Sequence, residues 1–333
     1  NSTDYWIKAG IKNIIVLDSS KIFNEYVNEN IRSYSHLPNV GFIDKFKHSI
    51  DLITTDYVLI CADDDYASIN CIKKCLEFLN DDSSFVAAHG HYCDFQFYEG
   101  SKNIKWQPKT TYISPSLDQD DNFDRLGIHL NYYTPTLYSV MRKKTMVDSY
   151  YSLLEYKNKV KEEYTPLYEI YWSSQQVLSG KIKRLDELFS IRQYLPNSAG
   201  NLTQQYSNIY LKDNFSNCYK FFKEYIINNL SSSDGYSKKE NEFNFYFNNF
   251  YKARLNLSTE KLFPKEKYEN STKEFKKNKD SKIFNFLKRF ILIIKAIYLS
   301  ITVQNKLKIH VPKMWWLRVF QHYFDIKNIS KHL

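Results

Sequence analysis

The sequence predicts an α/β protein whose mostly parallel sheet is covered by helices on both faces. Short apolar runs alternate with segments of helical periodicity through the first two hundred or so residues. Two of these runs, at residues 13–18 and 57–62, are mainly apolar, as buried parallel strands are; Asp18 closes the first, and acidic residues follow the second. Beyond about Tyr206 the strand signals stop. We therefore divide the chain into an α/β domain at 1–205 and a basic, aromatic-rich helical region at 206–333.

The elements follow from apolar spacing and from the residues that end each run. The helix expected at 70–79, for example, places Ile72, Cys75, Leu76 and Leu79 on one face. Residues 101–121 are polar and aromatic with two prolines, so we expect a loop there. The predicted strands are 13–18, 40–43, 57–62, 85–89, 137–142 and 183–193. The predicted helices are 45–53, 70–79, 123–130, 164–178, 214–230, 240–255, 283–303 and 314–324.

The composition excludes several classes of protein. Apolar residues make up 43% of the chain and charged residues 25%, which excludes a generally disordered chain. Only 8 Gly and 8 Pro exclude collagen-like and Gly/Pro-rich sequences. Five Cys in a chain of this length do not form a disulfide scaffold and fit a reducing compartment. We therefore expect a cytoplasmic protein.

Positive charge is concentrated at the C-terminal end. Residues 260–333 hold 17 Lys and Arg against 6 Asp and Glu, a net charge of +11. The apolar run at 283–303 is interrupted by three cations and is too charged to span a bilayer well. Residues 283–324 therefore predict basic amphipathic helices lying on the anionic inner face of the membrane. The alternative is helices that pack on the catalytic core. Nucleic acid is a third anionic partner, but no known nucleic-acid motif is present, so we do not expect it.

Acidic residues follow two of the predicted strands. Asp18 ends the first, and Asp63, Asp64 and Asp65 follow the run at 57–62. Ligands bind beyond the carboxyl ends of parallel strands. Three adjacent carboxylates repel one another, and a divalent cation beside them relieves that repulsion. Mg²⁺ or Mn²⁺ held by one or two carboxylates takes its remaining ligands from water and phosphate oxygens. The alternative is that the acids cap the following helix.

Several stretches in this order resemble the bacterial glycosyltransferases of the GT-A fold, a Rossmann-like α/β architecture. They are residues 14–20, 54–66, 85–95, 125–146 and 180–193. The closer resemblance is to a bacterial subfamily related to the inverting family 2 glycosyltransferases. It implies a metal-dependent hexosyltransferase that moves a sugar from a nucleotide-sugar donor to a hydroxyl of a glycan or lipid-linked acceptor. The implied role is synthesis of bacterial surface polysaccharide.

The resemblance also implies roles for the acidic residues. Asp18 and Ser19 would contact the nucleotide of the donor. The DXD motif of the family falls on Asp63 and Asp65, with Asp64 between them at the donor site. Asp65 is the first choice for the ligand of Mn²⁺ or Mg²⁺. Asp63 is the second metal contact or a ribose contact.

The same resemblance places a general base and a cation later in the chain. Inverting enzymes carry a carboxylate about eleven residues before a Gly, and Glu169 stands at that offset from Gly180. A Glu there could accept the proton of the acceptor hydroxyl. The common form has an acidic pair, whereas Tyr168 precedes Glu169 here, and an exposed helical Glu is the alternative. Arg192 falls where a cation approaches the diphosphate; its alternative is an ordinary surface ion pair.

Two histidines flank a glycine at the end of the predicted strand 85–89. His89 and His91 are candidates for orienting the acceptor, and Gly90 could let a substrate approach the backbone. The alternative for either histidine is a packed or hydrogen-bonded position.

The start of the sequence departs from the resembled family. A first strand and a helix should precede Ile14, but only residues 1–12 are available. We expect that this strand is missing from the sequence or that the start is remodelled.

Two other functions remain open at this point. One is nucleotidyl or phosphoryl transfer at the same site. The other is a non-catalytic protein that keeps the fold and binds a membrane surface or nucleic acid.

Overall fold

A computed structural model describes residues 2–21, 28–97, 104–107, 115–131, 133, 136–160, 165–193, 215–228 and 236–255, all in one compact unit. They form a mixed α/β structure, which confirms the predicted class. The strands are β1 Ile14–Asp18, β2 Ile31–His36, β3 Tyr57–Leu59, β4 Asp65–Ala67, β5 Phe85–Phe97, β6 Ile104–Gln107, β7 Val140–Arg142 and β8 Lys181–Gln193. The helices are α1 Ser2–Lys8, α2 Phe42–Ile50, α3 Ile69–Asp81, α4 Asn122–Asn131, α5 Lys143–Val160, α6 Thr165–Ser179, α7 Phe215–Asn228 and α8 Tyr236–Leu255.

The main sheet is built around the two long strands β5 and β8. Its order is β3-β7-β5-β8-β4, and β6 pairs with the far end of β5. β5 and β8 run parallel, because the helices α4, α5 and α6 lie between them in the chain and provide the crossover. The other pairings in this sheet are antiparallel, so the expected mostly parallel sheet is a mixed one. β1 and β2 form a separate parallel pair.

Some predicted elements are wrong. The strand expected at 40–43 is absent, because residues 42–50 form α2. The partner of β1 is instead β2, whose sequence IRSYSH is polar and half-buried and gave no apolar run. The expected loop at 101–121 contains β6 at Ile104–Gln107. The predicted helices at 214–230 and 240–255 correspond to α7 and α8.

Other expectations fall outside the residues that the structure describes. They are the boundary at 205/206 and the helices at 283–303 and 314–324. In the described part of the chain, none of the helices combines the length and the apolar character needed to cross a bilayer.

Aromatic side chains fill the space between the helices. Helix α6 is buried on several sides, and Tyr171 and Trp172 are fully inaccessible. The ring of Tyr171 stacks on Tyr156 of α5 at 4.4 Å between centroids. Phe222 of α7 packs against both Tyr156 and Tyr171. Phe243 of α8 packs on Phe222 in turn. The unusual Tyr and Phe content is thus explained in part by this helical core, to which the C-terminal helices contribute.

Gly90 marks a close approach between the two central strands. A Cβ atom there would lie 2.2 Å from the backbone oxygen of Glu187 in β8 and 3.1 Å from Sγ of Cys71. Cys71 and Cys75 are buried in α3 and pack against β5, as expected for apolar packing. The space beside Gly90 is therefore occupied by the backbone of β8, and Cys71 of α3 is the next nearest neighbour.

We predict that Gly90→Ala destabilises the fold by about 3 kcal/mol, because the added methyl group meets backbone, which cannot rotate away. The measurement is urea unfolding at neutral pH. Gly180→Ala is the matched control: its Cβ would meet the side chain of Val86 at 2.3 Å. Val86 can turn away only by rotation about its stiff χ1 angle, so we expect a smaller but still measurable loss of about 2 kcal/mol. Equal losses in the two variants would contradict this account of Gly90.

Candidate functional site

The carboxyl end of β1 holds Asp18 in a network of hydrogen bonds. Its Oδ1 accepts from the backbone N of Ser20 at 2.8 Å, and its Oδ2 accepts from Ser20 Oγ at 3.0 Å. The hydroxyl of Tyr34 in β2 also donates to Oδ2. Burial alone would raise the pKa of Asp18, but the hydrogen bonds from Tyr34 and Ser20 outweigh it and hold that pKa below its ordinary value. Asp18 is therefore a fixed, ionised acceptor at the strand end.

Ser19 sits beside this network and is exposed. Its Oγ accepts a hydrogen bond from Nζ of Lys45 in α2 at 3.0 Å. The ring nitrogen Nε2 of His36 lies 2.8 Å from the backbone oxygen of Ser20. The loop after β1 thus presents a carboxylate, a hydroxyl and a lysine at one edge, a set that can bind both the hydroxyls and the phosphates of a nucleotide.

The three adjacent aspartates have different environments. Asp63 and Asp64 form a turn, and Asp65 begins β4. Asp63 is exposed, Asp64 is half-buried and Asp65 is buried. Burial raises the pKa of Asp64, and the charge of Asp63 raises it further. Among the described residues neither Asp63 nor Asp64 forms a salt bridge, and the charge of Arg192 only partly offsets the effects that raise the pKa of Asp64.

Asp65 is paired with Arg192 across the edge of the sheet. The two residues are register partners of β4 and β8, and Nε of Arg192 lies 3.2 Å from Oδ1 of Asp65. The Arg192 guanidinium also lies over the ring of Tyr138, 5.2 Å from its centroid. The predicted metal ligand and the predicted cation therefore occupy the same site, and Arg192 is only 23% exposed. It is a partly buried partner of the acidic turn.

Glu169 reaches the same site from α6. Its neighbours Tyr168 and Ile170 are buried, whereas Glu169 is half-buried, and its Oε1 accepts a hydrogen bond from the Tyr133 hydroxyl at 3.0 Å. It is therefore not the exposed helical Glu of the alternative interpretation.

Tyr138 links these groups, because their charges all act on the pKa of its phenol. Burial raises its pKa most, the charge of Glu169 adds to that rise, and Asp65 and Asp64 add smaller contributions, while Arg192 opposes them. The predicted residues Asp64, Asp65, Glu169 and Arg192 are thus gathered around one tyrosine.

The charges of this site suit a divalent cation. Three aspartates and Glu169 face a single cation, Arg192, among the described residues whose charges act at Tyr138 or on the acidic turn. A diphosphate brought to this site would be repelled unless a cation accompanied it. Within the described ranges no three His, Cys, Asp or Glu side chains are grouped as a ready-made metal site. The arrangement fits a cation that takes one or two carboxylates and completes its shell with water and phosphate oxygens.

Residues 8–145 match the family model for glycosyl transferase family 2. This match supports a glycosyltransferase that uses a nucleotide-sugar donor and an acceptor, and with the mixed α/β structure it confirms the predicted GT-A fold. No curated protein matches the chain. The matched region includes Asp18 and the acidic turn but ends before Glu169 and Arg192. The closer resemblance to a bacterial subfamily stays a prediction.

The two histidines of β5 have partners within the fold. His89 is buried, its Nδ1 lies 2.9 Å from the backbone oxygen of Gly90, and its ring packs beside Tyr92 and Phe189. Burial lowers the pKa of His89 to about 4. Nε2 of His91 lies 3.0 Å from Oδ1 of Asp186. His89 therefore occupies the packed position given above as its alternative, and an acceptor-binding role for either histidine stays a prediction.

Tyrosines are the site residues that the sequence did not single out. Tyr34 holds Asp18, Tyr133 holds Glu169, and Tyr138 lies under Arg192. The chain has 28 Tyr, and no motif distinguishes these three from the others. They could have been found only from the strand pairing and helix packing that bring them to the carboxylates.

We predict that His89 makes stability depend on pH. Its folded pKa is about 4 and its ordinary pKa is 6.5, so the unfolded chain binds the proton first as the pH falls. The stabilisation is complete above pH 6.5 and is lost as the pH falls through 4. The loss by pH 4 amounts to about 3 kcal/mol.

His89→Gln should remove this component of the pH dependence, measured as the free energy of unfolding in urea at pH 7 and pH 4. The control is His48→Gln, since His48 is exposed at the end of α2 and should leave the pH dependence of the wild type in place. An unchanged pH dependence in His89→Gln would contradict the prediction.

Proposed function

We propose that this chain is a metal-dependent, inverting glycosyltransferase that moves a hexosyl group from a nucleotide-sugar to a hydroxyl of a glycan or lipid-linked acceptor. The biological role we propose is bacterial surface polysaccharide synthesis. The observation that carries the proposal is the gathering of Asp64, Asp65, Glu169 and Arg192 around Tyr138. The family match over residues 8–145 supplies the class of reaction.

In this proposal the nucleotide-sugar donor binds from the carboxyl end of β1 to the acidic turn before β4. Asp18 and Ser19 contact the nucleotide, since a charged carboxylate and a hydroxyl are suited to ribose or base groups. Lys45 stands next to Ser19 and adds positive charge on this side. The sugar-bearing diphosphate then extends toward Asp63, Asp64 and Asp65.

The residues that would hold Mn²⁺ or Mg²⁺ are Asp63 and Asp65, with Asp64 beside them at the donor site. The chemistry that a bound divalent cation supplies at such a site is neutralisation of the charge that develops on the leaving diphosphate. Asp65 is held in place by Arg192. In this proposal the guanidinium of Arg192 also attracts the phosphate oxygens of the donor.

Glu169 acts as the general base in this proposal. Its carboxylate takes the proton of the acceptor hydroxyl as that oxygen forms a bond to the anomeric carbon. The bond from the anomeric carbon to the diphosphate breaks with its electron pair on the leaving oxygen, and nucleoside diphosphate departs. Attack from the face opposite the leaving group inverts the configuration of the sugar.

The basic segment 283–324 lies outside the described residues, and its role remains the one expected from its charge. We propose that it places a cytoplasmic enzyme on an anionic membrane surface, where a lipid-linked acceptor would be found.

We predict that turnover requires the acidic turn and a divalent cation. UDP-, GDP- and dTDP-hexoses should release nucleoside diphosphate in the presence of Mn²⁺, and chelation should stop the release. Asp65→Asn should reduce the rate by at least about 100-fold while the variant stays folded, because a proposed metal ligand is lost but the side-chain shape is kept. Asp51→Asn, which neutralises an exposed acid after α2, is the control and should be near normal.

Two outcomes would contradict this assignment. Wild-type activity in Asp65→Asn would remove the acidic turn from the reaction. Release of pyrophosphate in place of nucleoside diphosphate would favour nucleotidyl transfer at the same site.

We also predict that Glu169→Gln lowers kcat by about 100-fold or more, because the amide cannot take the proton of the acceptor. The KM for the donor should change little, since Glu169 acts on the acceptor side. The measurement is steady-state kinetics with the nucleotide-sugar that the wild type turns over. A near-normal kcat would place the base on another residue.

A further inference from the structure

The proposed base is held by a tyrosine from another part of the chain. The Tyr133 hydroxyl donates to Oε1 of Glu169 at 3.0 Å, and Tyr133 is only 5% exposed. The two residues are 36 positions apart, and Tyr133 follows the end of α4. A hydrogen bond to a charged carboxylate is stronger than one between neutral groups, and burial limits its competition with water. Tyr133 therefore restricts where the carboxylate of Glu169 can lie.

The ring of Tyr133 is itself fixed by two aromatic neighbours. Its centroid lies 5.2 Å from that of His129 in α4 and 5.2 Å from that of Phe250 in α8, the latter at an edge-to-face angle of 73°. Phe250 is 1% exposed. The tyrosine is thus packed between a helix of the α/β part and the last described helix.

His129 is tied to the helix that carries Glu169. Its Nε2 lies 3.2 Å from Oγ of Ser173 in α6, and Ser173 Oγ donates its own proton to the backbone oxygen of Ile170 at 3.0 Å. Since the Ser173 hydroxyl proton is used there, Nε2 of His129 is the donor to Ser173. Helices α4, α6 and α8 therefore meet around Tyr133, and Ser173 lies one helical turn after the proposed base in α6.

We propose that Tyr133 is a positioning residue for Glu169, and that α8 takes part in catalysis indirectly by holding Tyr133 through Phe250. This inference rests on the proposed function, because it assigns Tyr133 to the base of that reaction. A general base must lie within hydrogen-bond reach of the proton it accepts, and small displacements of a reacting group are costly in rate. Neither Glu169 nor α8 falls in the region 8–145 that matches the family model.

Tyr133→Phe tests the role, because it removes one hydroxyl and keeps the ring between His129 and Phe250. We expect kcat to fall by about tenfold with an unchanged KM for the nucleotide-sugar donor, since in this proposal Tyr133 acts through the base on the acceptor side. The matched control is Tyr150→Phe. Tyr150 is fully buried and donates to the backbone oxygen of Ile43 at 3.1 Å, so this variant also loses a buried tyrosine hydrogen bond, but one to a neutral acceptor in α2 and not to Glu169.

The assay is release of nucleoside diphosphate from the UDP-, GDP- or dTDP-hexose that the wild type turns over with Mn²⁺. Tyr150→Phe should lower the melting temperature without changing kcat. If kcat in Tyr133→Phe equals that of Tyr150→Phe, or if only the donor KM changes, the inference is wrong. The failure of this inference differs from the failure of the proposed function. A wild type that turns over no nucleotide-sugar would overturn the proposed function and this role with it, whereas an active wild type with an unaffected Tyr133→Phe variant would overturn this role alone.

A double variant separates positioning from a purely structural effect. In Glu169→Gln the base is already absent, so adding Tyr133→Phe should lower kcat by less than twofold further. A further tenfold loss would show that Tyr133 acts independently of Glu169 and would overturn the inference.

Phe250→Leu keeps the proposal testable if Tyr133→Phe does not fold. It should lower kcat in the same direction by about threefold, because the ring of Tyr133 loses its aromatic support. Phe243→Leu is the control. Phe243 is as deeply buried in the same helix but packs on Tyr219, Phe222 and Phe247, so the kcat of this variant should match the wild type. Equal kcat in Phe250→Leu and Phe243→Leu would contradict a role for α8.

Discussion

The ion pair between Asp65 and Arg192 is the interaction on which the site depends. It joins the acidic turn before β4 to the last strand of the sheet, across 127 positions of the chain. Asp65 is 5% exposed in its side chain, so removal of Arg192 would leave a nearly buried carboxylate without its cation. The same guanidinium covers Tyr138 and thereby fixes the phenol around which Glu169 and the other acids are gathered. Strand pairing thus determines which charges meet.

The strands that could be predicted are those with continuous apolar runs. β1, β3 and β5 are of this kind, and the acids at the end of β1 and after β3 followed directly from the position of the first two runs. β2 could not be predicted, because it is polar and only half-buried and gains its conformation by pairing with β1. The pairing with β1 therefore determines the conformation of β2 more than the composition of β2 does.

Some residues of the candidate site could likewise be predicted from the sequence, and others could not. Asp63, Asp65 and Glu169 could be proposed from the sequence because a resemblance to a known family assigns chemistry to their spacing. Tyr133 could not, since one tyrosine among 28 carries no signal until α4, α6 and α8 are packed together. Likewise His89 was a reasonable ligand candidate as a sequence pattern, and only its burial beside Tyr92 and Phe189 shows that it belongs to the interior.

The sheet order has a consequence for how this chain could be divided or recombined. β8 lies between β5 and β4, so the strand that begins with Asp65 has its neighbour in a segment more than one hundred residues later. A fragment ending near residue 145 would keep the donor-side acids in its sequence but would lose the strand that separates and supports β4 and β5. The stretch that matches the family model therefore lacks the strand that pairs with β4, and Asp65 keeps its partner Arg192 only when both segments are present.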